Sequence, residues 1–327
     1  MRIPFKQLEK EFYRVLKKLS FSEETASTCA SVFASNSRDG IYSHGLNRFP
    51  DFIKLVKDDM INIHEKPVLV NSIGTIERWD GKGAPGISNA SVCMARAIEL
   101  AKTNGIGCVA IKNTNHWMRG GTYGWQAADA GCIGICFTNA IANMPAWGGK
   151  DAVLGNNPLV ISIPRMEGHV VLDMAMSQFS YGKMQEYELK NETLPFAGGY
   201  DQAGNLSDDP VAIRKTQRAL PIGFWKGSGL ALVLDLLTVA LSGGRSTQKI
   251  TADGIETGVS QCFICIYNPE MNDSLIDDIL QYTKSSTPVD PGKQVTYPGE
   301  HTLQTRLENE RNGIPVNEEI WNQLLAM

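Results

Sequence analysis

Two of the five histidines in this 327-residue chain stand in segments rich in polar residues and glycine. The first, His44, belongs to the segment YSHGLNR at residues 42–48. If this segment enters a helix, His44 and Arg48 are four residues apart and share one helix face. An imidazole exchanges protons near neutral pH and a guanidinium binds a carboxylate through two hydrogen bonds, which suits a 2-keto acid. Ser43 would orient the imidazole. The alternative is a capping histidine with a surface arginine.

The second histidine, His116, follows a predicted buried strand in the segment NTNHWMRGG at residues 113–121. Ligands of open α/β sheets bind at the carboxyl ends of strands. Two asparagines, a histidine and an arginine at that place indicate a functional loop. The alternative is a polar loop whose histidine is satisfied by hydrogen bonds.

Two other segments have the composition of ligand-binding sites. In FWKGSG (224–229), Lys226 stands among glycines at the predicted start of an apolar helix, where backbone N–H groups attract phosphate. The alternative is a solvated lysine at a glycine-rich helix start. In VLDMAMS (171–177), Asp173 ends an apolar strand and would receive ribose hydroxyls or orient a histidine. The equally weighted alternative is that Asp173 caps the next segment of the chain.

The charge and the apolar pattern argue against nucleic-acid and membrane functions. Lys and Arg total 31 against 35 Asp and Glu, a net charge of −4, without the basic face that nucleic-acid binding needs. The first twenty residues lack an apolar signal segment. The longest apolar run, 230–241, is too short to span a bilayer and contains Asp235. We therefore expect a cytoplasmic protein.

Neither the cysteines nor a glycine motif predicts a metal or dinucleotide site. Seven cysteines, an odd number, favour reduced thiols in a chain without a signal peptide. Cys262 and Cys265 lie in a predicted strand, where residues three apart point to opposite faces. A G-x-G-x-x-G motif begins at Gly81, but Pro85 removes a backbone N–H, and the next strand ends without an acidic residue. We predict a turn before a helix there.

The elements that position these residues change in character along the chain. Residues 1–67 are predicted to be helical, with a third helix across 42–56. Strands and helices alternate from residue 68 to residue 267, and they include a buried helix at 226–241. The remaining tail is again helical and loop-like. We predict an α/β domain at 68–267 and a discontinuous helical domain formed by 1–67 plus 268–327.

Five motifs, in their order and spacing, resemble the type-2 malate/L-lactate dehydrogenase family over nearly the whole chain. They are Ser43-His44-Gly45 with Arg48, Asn115-His116, Leu172-Asp173-Met174-Ala175, Trp225-Lys226-Gly227-Ser228-Gly229 and Pro298-Gly299-Glu300. The resemblance implies a non-Rossmann α/β nucleotide-binding architecture with flanking helical segments. It also implies a homodimer and metal-free hydride transfer between a nicotinamide cofactor and a 2-keto or 2-hydroxy acid. The α/β domain would bind the cofactor, and the helical domain would serve substrate binding and dimerisation.

The resemblance also implies roles for individual residues. His44 would protonate the carbonyl oxygen beside Ser43, and Arg48 would hold the carboxylate. Asn115 and His116 would line the substrate pocket, and some family members assign the acid/base role to His116. The implied cofactor-binding residues are His169, Val170, Val171, Leu172, Asp173, Met174, Ala175, Trp225, Lys226, Gly299, Glu300 and His301.

Within this family the closest resemblance implies a sugar-derived 2-keto acid as the substrate. It also implies NADH as the preferred form of NAD(P)H, with NADPH as an alternative. Malate, lactate, ureidoglycolate and cyclic imines stay open as substrates. The alternative of another class is an inactive protein that binds a sugar acid or a nucleotide.

Overall fold

The computed structural model describes residues 1–327, and its main feature is a seven-stranded mixed sheet with helices on both faces. The strands are β1 (Arg2–Ile3), β2 (Val68–Ile73), β3 (Ile76–Asp80), β4 (Ile106–Asn115), β5 (Ile133–Thr138), β6 (Ala142–Pro145), β7 (Ala152–Gly155), β8 (Leu159–Ile163), β9 (Val170–Met174), β10 (Gly199–Tyr200), β11 (Leu206–Ser207), β12 (Thr257–Ile266) and β13 (Ile314–Pro315). The helices are α1 (Phe5–Lys18), α2 (Glu23–Arg38), α3 (Phe49–Lys57), α4 (Gly86–Asn104), α5 (Gly121–Asp129), α6 (Tyr181–Lys190), α7 (Pro210–Thr216), α8 (Trp225–Ser242), α9 (Thr247–Ala252), α10 (Asp273–Lys284), α11 (Glu300–Asn312) and α12 (Glu318–Ala326).

The sheet has the strand order β2-β3-β4-β12-β5-β8-β9. Only β3 and β4 are parallel, and the other neighbours are antiparallel. A doubly wound dinucleotide-binding sheet is mostly parallel, so this order agrees with the predicted non-Rossmann α/β class. The central strand β12 comes from late in the chain, and it pairs along its length with β4 and over residues 261–266 with β5.

Each face of the sheet carries its own hydrophobic core. Helices α4 and α5 cover one face, and α8 with the segments around it covers the other. Cys265 packs in the first core and Cys262 in the second, as the two-residue period of a strand predicts. All seven cysteines are buried free thiols.

The two ends of the chain share a third core. Strand β1 pairs with β13, and Trp321 and Leu324 of α12 pack with the phenylalanines of α1, α2 and α3. Phe33 and Phe49 meet edge to face there, with ring centroids 5.0 Å apart. The division into 68–267 and 1–67 plus 268–327 stays a prediction.

Helix α8 forms close to its predicted bounds, but the prediction that it is buried was wrong for this chain. Ala231, Leu234 and Thr238 are buried. The opposite side is apolar and exposed, and it consists of Leu232, Val233, Leu236 and Leu237. Its composition is therefore that of a core helix, while half of its surface has no partner within the chain.

By length and composition, α8 is also the one helix apolar enough to cross a membrane. Its contacts nevertheless tie it to the rest of the fold. Asp235 accepts hydrogen bonds from the Asn139 side chain at 2.9 Å and from the backbone N–H of Thr247 at 3.1 Å. The apolar helix thus carries a carboxylate that fixes the start of α9.

Candidate active site

Polar side chains of α2 hold the loop that carries Ser43 and His44. Asn36 donates to the His44 carbonyl oxygen at 3.0 Å, and the Ser37 hydroxyl accepts from the Leu46 backbone N–H at 2.9 Å. Both α2 side chains are buried. The position of the loop is therefore fixed by the helix before it.

The helix predicted across residues 42–56 begins only at Phe49. Before it, the chain makes two 3₁₀ turns, Tyr42–His44 and Leu46–Arg48, separated by Gly45. Gly45 has φ −108° and ψ −127°, and a Cβ there would stand 2.2 Å from the Ser37 hydroxyl oxygen. The predicted helical pairing of the histidine and arginine was wrong, because this close contact interrupts the helix between them.

The structure brings the two histidines of separate motifs together. The rings of His44 and His116 stack with centroids 5.8 Å apart and planes inclined by 15°. Ser43 Oγ lies 3.1 Å from His44 Nδ1. The Met118 backbone N–H donates to His116 Nδ1 at 3.0 Å, so the neutral His116 ring carries its proton on Nε2.

The surroundings favour the neutral form of both rings. Desolvation, followed by the charges of Arg48 and Arg119, lowers the pKa of His44 to about 4. Desolvation, followed by His44 and Arg48, lowers the pKa of His116 well below its ordinary value. An anion bound beside the rings would offset the guanidinium charges and raise both pKa values. The site therefore favours binding an anion together with a proton.

Arg48 provides the positive charge that is most available to a ligand here. Its side chain is 40% exposed, and Nη1 lies 3.1 Å from Asp51 Oδ2. An exposed ion pair of this kind contributes little free energy, so a ligand carboxylate can replace it. The Arg48 charge lowers the pKa of His44, His116 and Glu256, so one guanidinium acts on all three groups.

Glu256 is a member of this group that the sequence analysis missed. The antiparallel pairing of β12 with β4 sets residue 257 opposite residue 115, so Glu256 comes opposite His116. Desolvation raises the pKa of Glu256 to about 7, against the opposing effects of Arg48 and a hydrogen bond from the Ile141 backbone N–H. No local motif indicates this residue, because only the register of two distant strands brings it to the site.

The Asn115 side chain holds the glycine-rich turn before α4. It donates to the carbonyl oxygens of Gly83 at 2.8 Å and Ala84 at 3.0 Å. A Cβ on Gly86 would stand 2.0 Å from the Asn115 carbonyl oxygen. The glycine motif thus forms the predicted turn before a helix and lies against the strand end that carries His116. Substrate binding by Asn115 stays a prediction.

A buried ionic network connects the histidine segment with distant elements. Asp39, at the end of α2 and 4% exposed, accepts from Arg119 at 2.8 Å and twice from Arg306 of α11 at 2.8 Å. Arg119 Nε lies 3.6 Å from Asp173 Oδ2, which also accepts from the Gly121 backbone N–H at 2.8 Å. The network joins α2, α5, β9 and α11 behind the site.

Two of the predicted cofactor segments lie side by side. The Val171 backbone N–H donates to the Pro298 carbonyl oxygen at 2.9 Å. Gly299 has φ +98°, and a Cβ there would stand 2.9 Å from the Val171 nitrogen and 3.0 Å from the His169 carbonyl oxygen. Glycine is therefore required for residues 298–301 to approach β9 this closely.

Several side chains of these two segments already have partners within the chain. His169 Nε2 lies 2.9 Å from Asp129 Oδ1, and Glu300 forms an ion pair with Lys284. His301 is exposed at the start of α11. The half-buried residues along β9 and just after it are Val170, Leu172, Met174 and Ala175. Backbone groups of both segments, together with these side chains, are available to a cofactor.

The third predicted cofactor segment begins α8. The Ile222 backbone N–H donates to the Met176 carbonyl oxygen at 2.8 Å, which ties the approach to α8 to the chain just after β9. Trp225 is 64% exposed, and Lys226 Nζ lies 5.9 Å from the centroid of its ring. An aromatic surface and a cation are thus presented at the helix start.

Comparison with known proteins gives matches over the full length. The sequence matches the model of the malate/L-lactate dehydrogenase family over residues 3–325. It is 44% identical over 333 residues to the 2,3-diketo-L-gulonate reductases of Escherichia coli O6:K15:H31 (strain 536 / UPEC) and Citrobacter koseri, with 100% of each chain covered. The structure is similar to malate dehydrogenase from Entamoeba histolytica, with a TM-score of 0.94 and 25% identity, over 100% of this chain and 96% of that chain.

Proposed function

The chain belongs to the malate/L-lactate dehydrogenase family, and from this premise we propose that it reduces 2,3-diketo-L-gulonate to 3-dehydro-L-gulonate with NADH. Membership makes it an oxidoreductase that acts on a hydroxy or keto group. The stacked pair of His44 and His116 beside Arg48 is the observation that carries the reaction class. Full-length similarity to two 2,3-diketo-L-gulonate reductases supports this sugar acid over malate, lactate, ureidoglycolate or a cyclic imine.

His44 is the proposed proton donor. Reduction of the keto group at C2 needs a hydride on carbon and a proton on oxygen, and the nicotinamide supplies the hydride when bound. Ser43 Oγ, 3.1 Å from Nδ1, orients the imidazole so that Nε2 is left for the carbonyl oxygen. In the free protein the pKa of His44 is lowered to about 4. The substrate carboxylate offsets the charges of Arg48 and Arg119 and so raises this pKa. His44 therefore takes up a proton when the substrate binds.

Arg48 and His116 are the proposed substrate-binding partners of His44. A guanidinium can hold a carboxylate through two parallel hydrogen bonds. To bind one, Arg48 would lose only its exposed ion pair with Asp51. His116 presents Nε2–H to the substrate, because its Nδ1 is occupied by the Met118 N–H. Asn115 supports the strand end on which His116 stands.

The residues proposed to hold the nicotinamide cofactor are those at 169–175, 225–226 and 299–301. The close approach of Gly299 to β9 offers a cradle of backbone groups that a side chain would fill. We assign NADH as the preferred form because a 2′-phosphate needs a free basic side chain. Arg165 and Lys284, which lie beside this cradle, are already in ion pairs with Asp277 and Glu300. NADPH is the second donor to compare.

A second copy of the chain is proposed to cover the exposed apolar side of α8. Leu236 is 61% exposed, and Leu232 and Val233 are each nearly half exposed. Trp147 and Phe224, both about half exposed, pack with tilted rings and centroids 5.4 Å apart near the start of this helix. Several large apolar side chains exposed along one helix indicate a partner surface, which supports a homodimer.

The cytoplasm is the proposed location. Seven cysteines without a disulfide suit a reducing compartment, where thiols persist.

Replacement of His44 tests the proposed chemistry. His44→Ala should still bind NADH, as measured by the fluorescence of the reduced nicotinamide. Its kcat should fall about 10²–10⁴-fold, which is the usual contribution of a general acid. The matched control is His64→Ala, because His64 is an exposed histidine outside the site. Turnover by His44→Ala close to that of the control would remove His44 from the role.

A further inference from the structure

We propose that Glu256 is a specificity residue that rejects 2-keto acids with a second carboxylate and favours substrates whose chain carries hydroxyl groups. The proposal rests on the proposed function only in assuming a 2-keto acid bound by Arg48 and the two histidines.

The strand register places this carboxyl at the site. Thr257 pairs with Asn115, so Glu256, just before β12, lies beside His116, just after β4. The Arg48 guanidinium lowers the pKa of Glu256 and of both histidines, which agrees with a carboxyl placed by the strand register beside the space in which the substrate is bound.

The charges around this space are sufficient for one substrate carboxylate. Arg48 is the available cation, since Arg119 is engaged by the buried Asp39. The two histidines are neutral in the free site. A second substrate carboxylate would therefore meet Glu256 without a cation to pair with, and like charges placed together in an interface are strongly unfavourable.

The hydroxyl groups of a substrate can instead form favourable hydrogen bonds with Glu256. Hydroxyls donate to an ionised carboxyl and accept from a protonated one. Because the pKa of Glu256 is raised to about 7, both forms are populated near neutral pH. A polyhydroxylated substrate is therefore accommodated in either form, while a dicarboxylate is tolerated only when Glu256 is protonated.

The test compares oxaloacetate with its 4-methyl ester, which has the same skeleton without the second charge. The discrimination ratio is kcat/KM for oxaloacetate divided by kcat/KM for the ester. Where turnover is too slow, inhibition constants against the preferred substrate replace kcat/KM. In the unmodified protein the ratio should fall about tenfold as the pH rises from about 6 to about 8, because Glu256 ionises through this range. Both compounds carry the carboxylate that Arg48 binds, so protonation of His44 and His116 linked to that carboxylate cancels in the ratio.

At about pH 8, Glu256→Gln should raise the ratio about tenfold, since the repelling charge is removed. Glu256→Asp should leave it near that of the unmodified protein. The matched control is Glu270→Gln, which makes the same chemical change at an exposed position beyond the far end of β12.

A ratio that does not change with pH in the unmodified protein overturns the proposal, even if Glu256→Gln fails to fold. An unchanged ratio in a Glu256→Gln variant that still binds NADH overturns it as well. Failure of the proposed function would instead appear as no reduction of 2,3-diketo-L-gulonate by the unmodified protein, while the ratio stays measurable.

Discussion

His44 and His116 share one desolvated space, and such a space does not favour two positive charges. Their ring centroids are 5.8 Å apart, and Arg48 acts on both. Each ring has its own partner at Nδ1, the Ser43 hydroxyl or the Met118 N–H. The two imidazoles are therefore fixed in orientation before a substrate arrives. The carboxylate of the substrate then favours protonation of one of them.

The lowered pKa of His44 predicts a pH dependence of stability. The pKa falls from the ordinary value of 6.5 to about 4 in the folded chain. Between these values the unfolded chain binds a proton that the folded chain does not, so the free energy of unfolding falls as the pH is lowered. Urea denaturation of His44→Gln should show a smaller loss between about pH 7 and pH 5 than the unmodified chain. Equal losses would contradict a neutral, desolvated ring.

At the scale of residues, sequence analysis identified both histidines and Arg48, because each stands in a dense polar segment. It missed Glu256, which stands in no such segment and reaches the site through the register of β12 on β4. For Asp173 it offered ribose binding, orientation of a histidine or capping of the next segment. The structure shows none of these, but a hydrogen bond from the Gly121 N–H at the start of α5, and the cofactor role stays a prediction.

At the scale of elements, the ionic network around Asp39 holds together the segments that form the site. Asp39 and Arg119 are 4% and 5% exposed, and Arg306 links them to the helix that begins at the cofactor cradle. Because the carboxylate pairs with the buried Arg119 and the half-buried Arg306, its loss leaves uncompensated positive charge in the interior. The loop carrying His44 begins directly after Asp39.

Asp39→Asn should therefore destabilise the chain by about 3–5 kcal/mol, the usual result of removing one partner from a buried ion pair. The measurement is urea denaturation at neutral pH. Glu9→Gln, which breaks the exposed ion pair with Lys6, is the control and should cost less than about 1 kcal/mol. Equal effects of the two substitutions would show that the buried network does not hold the fold.

The elements themselves were predictable to different degrees. Helix α8 was predicted at 226–241, within one residue of its bounds at each end, because a long apolar run ends there at Gly243. The helix across 42–56 was not, since Gly45 is non-helical for a reason that lies in α2, its contact with Ser37. Local pattern determines an element where no distant contact competes with it.

At the scale of the whole molecule, the position of β12 between β4 and β5 could not be derived from local sequence pattern. The architecture instead followed from the resemblance of motifs spread along the chain, and the full-length family match confirms it. The same architecture leaves one side of α8 exposed. Apolar composition alone predicted a buried helix, because it does not distinguish burial within one chain from burial between two.

The exposed side of α8 predicts association of two chains. Sedimentation equilibrium should give about twice the chain mass of 35.8 kDa for the unmodified protein. Leu236→Glu should shift the mass to that of one chain, because it places a charge at the centre of the apolar surface. Leu275→Glu, at an equally exposed leucine of α10, is the control and should stay dimeric. A single-chain mass for the unmodified protein would contradict the proposed homodimer.

Reduction of 2,3-diketo-L-gulonate is tested most directly by the absorbance of NADH with this substrate, pyruvate, oxaloacetate and a cyclic imino acid in parallel. NADPH serves as the second donor. We predict the highest kcat/KM for 2,3-diketo-L-gulonate with NADH. A higher value for another acid would keep the reaction class and contradict the substrate. No turnover on any of the four, with NADH still bound, would contradict the proposed reductase function itself.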